Sequence, residues 1–209
     1  MKVIAINGSS NAKGNTALAL DQVCGALQQQ GIETERIEIG KKAVRGCIGC
    51  NKCGEKQNRR CIFDDDILNP SLDALFAADG ILVGSPVYYA GINGSLKCFL
   101  DRAFYVAESN GSIFWQKVGA GVVAVRRGGE ATAWDQINKY FTITGMFIPS
   151  GTYWNMVFGA APGEADKDVE GKQNMQVLGR NMAWLLKAVE KEKSALPPYE
   201  EKRFMSFIR

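Results

Sequence analysis

Histidine is missing from all 209 residues. Its absence excludes Ser-His and Cys-His nucleophilic catalysis and removes the commonest protein metal ligand. Any chemistry must then come from a bound cofactor, from cysteines or from carboxylates. No apolar run approaches the roughly 20 residues needed to span a bilayer. The formal net charge is only +3, too small to argue for nucleic acid or a membrane surface as a partner. Neither G-x-G-x-x-G nor the Gly-Lys-Ser/Thr of a P-loop follows the first apolar run, so neither a dinucleotide fingerprint nor an NTPase is supported. The opening Met1 to Ile6 enters a strand at once and lacks the h-region and small-residue cleavage site of a signal peptide. A cytoplasmic location is expected.

What the chain has is an ordinary apolar share, 46%, and length for one large core, so residues 1–209 read as a single domain. Short apolar runs alternate with amphipathic stretches. The pattern predicts strands at Val3–Ile6, Thr34–Ile39, Gly80–Val83, Val118–Val125 and Met146–Gly151. Helices are predicted from Thr16 to about Gln30, Ser71 to Ala78, Ser95 to Val106, Thr132 to Thr144 and Gln173 to Lys193. Strands separated by helices imply an α/β fold: a five-stranded parallel sheet covered on both faces, with right-handed crossovers. Residues 195–209, with Pro197-Pro198 and a charged stretch, read as an exposed tail whose Phe204, Met205, Phe207 and Ile208 dock on a neighbour.

Ligands of such sheets bind at the carboxyl ends of the strands, where three glycine-rich loops are expected to converge. The first, Asn7-Gly8-Ser9-Ser10-Asn11-Ala12-Lys13-Gly14-Asn15-Thr16, joins a strand to a helix start and suits a terminal phosphate monoester. Any turn between strand and helix favours Gly, Ser and Asn as well, so plain capping is the competing reading. The second, Gly84 to Gly94, offers Pro86, Tyr88 and Tyr89 as a rigid apolar edge for a flat ring, or alternatively as packing residues. The third is Arg126-Arg127-Gly128-Gly129-Glu130.

Taken together, Gly-Ser-Ser with Gly-Asn-Thr in the first loop, Gly84-Ser85-Pro86-Val87-Tyr88-Tyr89, and Leu96-Lys97 with Asp101-Arg102 resemble the flavodoxin-like NAD(P)H-dependent FMN reductase family. The resemblance implies a flavodoxin-like three-layer fold and an FMN whose phosphate sits on Ser9, Ser10, Gly14, Asn15 and Thr16. Its isoalloxazine would lie against Pro86, Val87, Tyr88 and Tyr89, with Arg127, Gly128 and Gly129 closing the pocket. The flavin would carry the hydride and electron chemistry, and Asp101 and Arg102 would be structural. NADH or NADPH would donate electrons, and the acceptor would be a quinone, azo compound, free flavin or metal ion. Relatives of this kind assemble as homodimers or homotetramers, and Tyr105 to Trp115 and Tyr153 to Phe158 are expected to cover the site or form the contact.

Six cysteines are present, at 24, 47, 50, 53, 61 and 98. Cys47, Cys50, Cys53 and Cys61 form C-x2-C-x2-C-x7-C within the cysteine-rich segment 41–66. Closely spaced thiolates of this kind wrap one face of a [4Fe-4S] cube while a fourth arrives from farther on. Cys61 is followed by Ile62 rather than the proline of ferredoxins, and the motif resembles that of the iron-sulfur flavoprotein branch of the same superfamily. Zinc, a reactive thiol or reversible disulfide, and metal-free packing are the alternatives. Cys24 and Cys98 fall on predicted helices and read as small core residues. Lys41, Lys42, Arg45, Lys52, Lys56, Arg59 and Arg60 make this segment basic. They would attract the extra phosphate of NADPH or an acidic electron carrier, or form a solvated loop. Asp64, Asp65 and Asp66 are expected to cap or precede the next helix, where acids complement the dipole.

Three functions remain open on these grounds: an NAD(P)H-dependent FMN reductase, an iron-sulfur flavoprotein passing electrons between cluster, FMN and a carrier protein, and a flavin-bound redox sensor.

Overall fold

Strands that are apolar on both faces form the middle of the molecule. β1 (Lys2–Asn7), β3 (Gly80–Pro86) and β4 (Val118–Val125) are buried over nearly their whole length, as interior strands of a parallel sheet must be. β2 (Glu33–Glu38) and β5 (Met156–Phe158) flank them. Every pair runs parallel, in the order β2-β1-β3-β4-β5, the flavodoxin-like order. The computed structural model describes residues 1–205 and 207; Ile208 of the expected docking tail lies outside them.

Alternation along the strands sends side chains to two cores. Ile4, Ile6, Ile81, Val83 and Val123 face a layer that holds α3 (Leu68–Ala77), α4 (Gly94–Ser109) and α5 (Glu130–Ile143). Val3, Ala5, Leu82 and Val122 face α1 (Asn15–Gln29) and α6 (Val169–Lys191). The three-layer arrangement expected from the sequence is therefore present. β2 is an edge strand and largely polar, tied to its surroundings by Lys2–Glu35 at 2.7 Å and Arg36–Asp21 at 2.6 Å. Among the described residues, no helix is long and apolar enough to cross a membrane.

The fifth strand is not Met146–Gly151 but Met156–Phe158. Phe147 makes a single bridge to Val118, at the start of β4. Pro149 then follows, a residue without the N–H a ladder needs, and the chain leaves the sheet. Asn174 of α6 holds the excursion, accepting from the amide of Thr152 at 2.8 Å and donating to the carbonyl of Trp154 at 2.8 Å. The chain returns to pair Met156, Val157 and Phe158 with Val123, Ala124 and Val125.

Where β2 ends, Ile39 still donates to Asn7 at 2.9 Å, and Gly40 comes next. A Cβ at Gly40 would lie 2.0 Å from the Ser9 carbonyl carbon and 2.4 Å from the Ser10 nitrogen. The end of β2 and the first loop thus touch through backbone alone.

Beyond Gly40, segment 41–66 is irregular except for the unexpected short helix α2 (Lys52–Lys56). Its fastening comes from Arg102 on α4, whose side chain is 1% exposed. Arg102 donates to Asp66 through Nη1, to the carbonyl of Arg45 at 3.2 Å and to that of Phe63 at 3.0 Å. Asp66 also accepts from Leu68, the first residue of α3, at 3.0 Å; the acidic run precedes the helix, whose N-cap is Ile67. Asp101 and Arg102 do not pair with each other: Asp101 takes Lys97 at 2.6 Å and the hydroxyl of Tyr140.

Burial by itself pushes the Asp66 carboxyl up, but the Arg102 guanidinium and the amides of Leu68 and Arg45 outweigh it and hold the carboxyl below its ordinary range. A depressed folded-state pKa adds stability that is complete above the unfolded value of about 3.9 and is lost as pH falls through the folded value. Asp66→Asn should therefore cost about 3 kcal/mol in urea unfolding near neutral pH, because it strands a buried cation. Its deficit relative to wild type should shrink steadily once pH falls below about 4; a deficit constant with pH would contradict the pairing. Gly40→Ala should cost about 1–3 kcal/mol through forced displacement of the first loop, read as a lower Tm by calorimetry.

Candidate functional site

A cleft of about 260 Å³ opens at the carboxyl end of the sheet, between the loops that follow β1, β3, β4 and β5. The first loop is shaped by its own short side chains. Ser9 N donates to the Asn7 side chain at 3.0 Å, Asn11 N to Ser9 Oγ at 3.1 Å and Lys13 N to the Asn11 side chain at 3.1 Å. Such turns are what Ser and Asn form readily. They deliver the chain to Gly14, the N-cap of α1, where no side chain caps the helix and no acid sits in its first turn. The first N–H groups of a helix have no intrahelical acceptor; those of Asn15 and Thr16 belong to residues that border the cleft, whereas Gly14 N donates to Asn11 O at 3.1 Å. A helix start of this kind can accept an anion.

The opposite wall comes from the end of β3. Val87 donates to Ala124 at 3.0 Å, and Tyr88 and Gly91 exchange hydrogen bonds at 2.9 and 3.2 Å. The two residues between them, Tyr89 and Ala90, both have positive φ, +46° and +63°. Such a turn normally takes Asn-Gly, so Tyr-Ala holds it under strain. Asn93 caps α4 through the amides of Ser95 and Leu96, and the third loop braces the turn from below. Gly129, at φ +94°, lies so close that a Cβ would be 2.9 Å from Val87 Cγ1 and 3.0 Å from Ala90 Cα.

Ser9, Gly14, Asn15, Thr16, Pro86, Val87 and Tyr88 all line the cleft. Ser10 joins the two walls, its hydroxyl 2.9 Å from that of Tyr88. Tyr89 projects from the turn, fully exposed. Arg127 and Gly128 are exposed beyond the rim, and the third loop reaches the cleft through Arg126 instead. The Asn15 side chain is turned away to the segment after β5, donating to Ala161 O at 3.0 Å and accepting from Ala165 N at 3.1 Å. Asn11 of the first loop also borders the cleft, as do Gly159, Ala160 and Pro162; the sequence hides these last three because they follow β5, which its pattern places at Met146–Gly151. Their segment is clamped by Glu164, whose carboxyl accepts from Ala161 and Ala160 at 2.9 and 2.8 Å and is held below its ordinary range by those amides.

The second site is the cysteine segment. Cys47, Cys50, Cys53 and Cys61 line one cavity together with Phe63, Arg102 and Tyr105. All are free thiols; Cys47 is exposed and Cys53 buried. The chain coils tightly there, with positive φ at Gly49, Asn51, Gln57 and Arg59. Asn110 donates to Cys53 O at 3.2 Å and accepts from Arg59 N at 2.9 Å. Asn69 clamps Cys61 at both backbone atoms, at 2.8 and 2.9 Å, and Arg102 Nε approaches Cys61 Sγ at 3.2 Å. Among the described residues, no three Cys, Asp or Glu groups converge on the spacing of a single metal ion. The four cysteines share the lining of one small cavity, about 20 Å³, and three closely spaced thiols with a fourth farther along are a donor set that an iron-sulfur cluster can use.

Cys24 lies apart, and burial pushes its thiol up to about 11, with Asp21 adding to the effect. Cys98 is partly buried on α4, beside Gly46. Arg45, Lys52 and Arg60 of the basic segment are paired with Asp65, Glu55 and Asp73. The aromatic stretch Tyr105 to Trp115 does not form one cover: Tyr105 borders the cysteines, Phe114 is core, and Trp115 packs on Tyr199 at the amino end of β4. Tyr153, Trp154 and Phe158 remain exposed beside Glu130, with Trp154 stacked on Trp134 at 6.4 Å.

A model of NADPH-dependent FMN reductases matches residues 1–161. An iron-sulfur flavoprotein of Methanocaldococcus jannaschii is 36% identical over 198 residues, 91% of this chain and 100% of that protein. Another, of Methanosarcina thermophila, is 27% identical over 201 residues, 92% of this chain and 99% of its own. Of solved structures, RosB with bound 8-demethyl-8-formylriboflavin-5'-phosphate aligns at TM-score 0.72 and 15% identity over 100% of this chain and 98% of its own. A WrbA-like flavodoxin from Agrobacterium tumefaciens aligns at 0.61 and 16% over 90% of this chain and 98% of its own. At such identities these two establish the fold alone. The sequence matches establish the lineage: this chain belongs to the NADPH-dependent FMN reductase family, in the branch of the iron-sulfur flavoproteins.

Proposed function

We propose that this protein is an electron-transfer flavoprotein that holds FMN in the cleft and a [4Fe-4S] cluster on Cys47, Cys50, Cys53 and Cys61. The observation that carries this reading is the gathering of four thiols around one cavity in a chain with no imidazole to offer a metal. FMN supplies hydride and single-electron transfer when bound, and an iron-sulfur cluster supplies single-electron transfer. The chain's own part is to bind, orient and tune.

The uncapped start of α1, with the Ser9 and Thr16 hydroxyls, takes the phosphate, and Ser10 with Tyr88 keeps the two walls in register. Pro86, Val87 and Tyr88 lie along the flat ring, Gly129 supports the turn that carries them, and Arg126 closes the outer side in place of Arg127 and Gly128. Asn15 serves through its backbone amide, its side chain being committed to the segment after β5. Electrons enter from NAD(P)H or a carrier protein and leave to a carrier or a small acceptor. The working form is a homodimer or homotetramer, a reading supported by the exposed Tyr153, Trp154 and Phe158.

A second reading, an NAD(P)H-dependent FMN reductase with metal-free thiols, is favoured by the description of the family model that matches residues 1–161. Protein purified without oxygen separates the two. The first reading expects flavin bands over a broad cluster absorbance, with about four irons and four sulfides per chain. Flavin without iron, together with rapid bleaching by NADH or NADPH, would establish the second. The phosphate cradle has its own test. Asn11→Asp keeps the acceptor for Lys13 but puts a carboxylate at the cleft wall, and should weaken FMN binding roughly tenfold or more by repulsion. Riboflavin, which has no phosphate, should bind as it does to wild type, and equal losses for both ligands would place the phosphate elsewhere.

A further inference from the structure

Arg102 has two kinds of neighbour. Its Nη1 and Nη2 serve Asp66 and the carbonyls of Arg45 and Phe63, and those bonds account for its role as a fastening. Its Nε does something else, donating to Cys61 Sγ at 3.2 Å. The guanidinium is planar and permanently charged, so once Nη1 and Nη2 are fixed the direction of Nε–H is fixed too. Cys61 is in turn pinned at its backbone by Asn69 on both sides. Of the four cysteines it is the outlying one in sequence, and its sulfur is held by a buried cation.

Two effects of such a contact have the same sign. A thiolate that accepts a hydrogen bond gives less charge to iron, and a cation in a dry site favours the state that carries one more electron. We propose that Arg102 is a positioning residue that fixes the Cys61 sulfur and raises the reduction potential of a [4Fe-4S] centre held by the four cysteines. The role rests on the cluster reading given above.

Anaerobic potentiometric titration, followed by the EPR signal of the reduced centre, compares wild type with Arg102→Gln and Arg102→Lys. Potentials are compared on variant protein that holds iron and sulfide. At a fixed potential the oxidised-to-reduced ratio should rise roughly tenfold in Arg102→Gln, about 59 mV for one electron. Arg102→Lys, which retains the charge but not the Nε–H, should fall between. An unshifted potential in an iron-replete Arg102→Gln overturns the role. These substitutions also remove the fastening of segment 41–66, so a second arm leaves the protein unchanged. Wild type grown on arginine labelled with heavy nitrogen at Nε should show nuclear coupling to the reduced centre by ENDOR, and its absence overturns the proposal even if no variant folds. Wild type without iron would overturn the cluster reading and Arg102's role with it, whereas iron with neither shift nor coupling would overturn Arg102's role alone.

Discussion

Parallel pairing of every strand is the constraint from which both sites follow. Each strand must be re-entered from the same end, so each crossover returns to the far edge and each loop after a strand emerges on the same side. The segments after β1, β3, β4 and β5 therefore have no choice but to meet, and they meet as a cleft. The segment after β2 emerges on that side as well, and it is the one that carries the cysteines. Gly40 makes the two sites structural neighbours, since the chain leaving β2 leans on the backbone of Ser9 and Ser10 before it turns into the cysteine segment.

That segment has almost no regular structure to hold it. Its order is imposed from outside, chiefly by a guanidinium taken out of water and given acceptors from residues 45, 61, 63 and 66. A buried ion pair is weak evidence for stability, because desolvation consumes most of the attraction. What it confers here is geometry. An arginine in this position has many donors and no solvent, so the loop must fold to the one arrangement that meets them, and the thiols are gathered as a result.

Much of this was legible in the sequence, and the exceptions have physical causes. β4 stands out because its apolar run is unbroken and α1 because its apolar residues recur at helical spacing, and the cysteine spacing is chemical rather than conformational. The fifth strand was misread because Met146, Phe147 and Ile148 are as apolar as any strand. Only the demand for a continuous row of donors, which Pro149 breaks, moves pairing to Met156. That error concealed one wall of the cleft. The sequence marks Arg102 as structural but shows neither its partner nor its approach to Cys61, because the convergence of residues 45, 61, 63 and 66 on one helix position exists only in three dimensions. Asn15 shows the reverse limit: the residue type suited a phosphate donor, yet its side chain found a nearer acceptor in Ala161.

The edges of the sheet bear on how copies of this chain meet. One edge, β2, alternates acids and a cation outward and ties them into ion pairs with Lys2 and Asp21; the other, β5, is three residues long. A charged edge and a stub are both poor templates for an incoming strand. Neither margin invites continuation of the sheet from one molecule into the next, so any contact between copies would run through side chains on helices and loops, and its strength would depend on residue identity rather than on main-chain pairing.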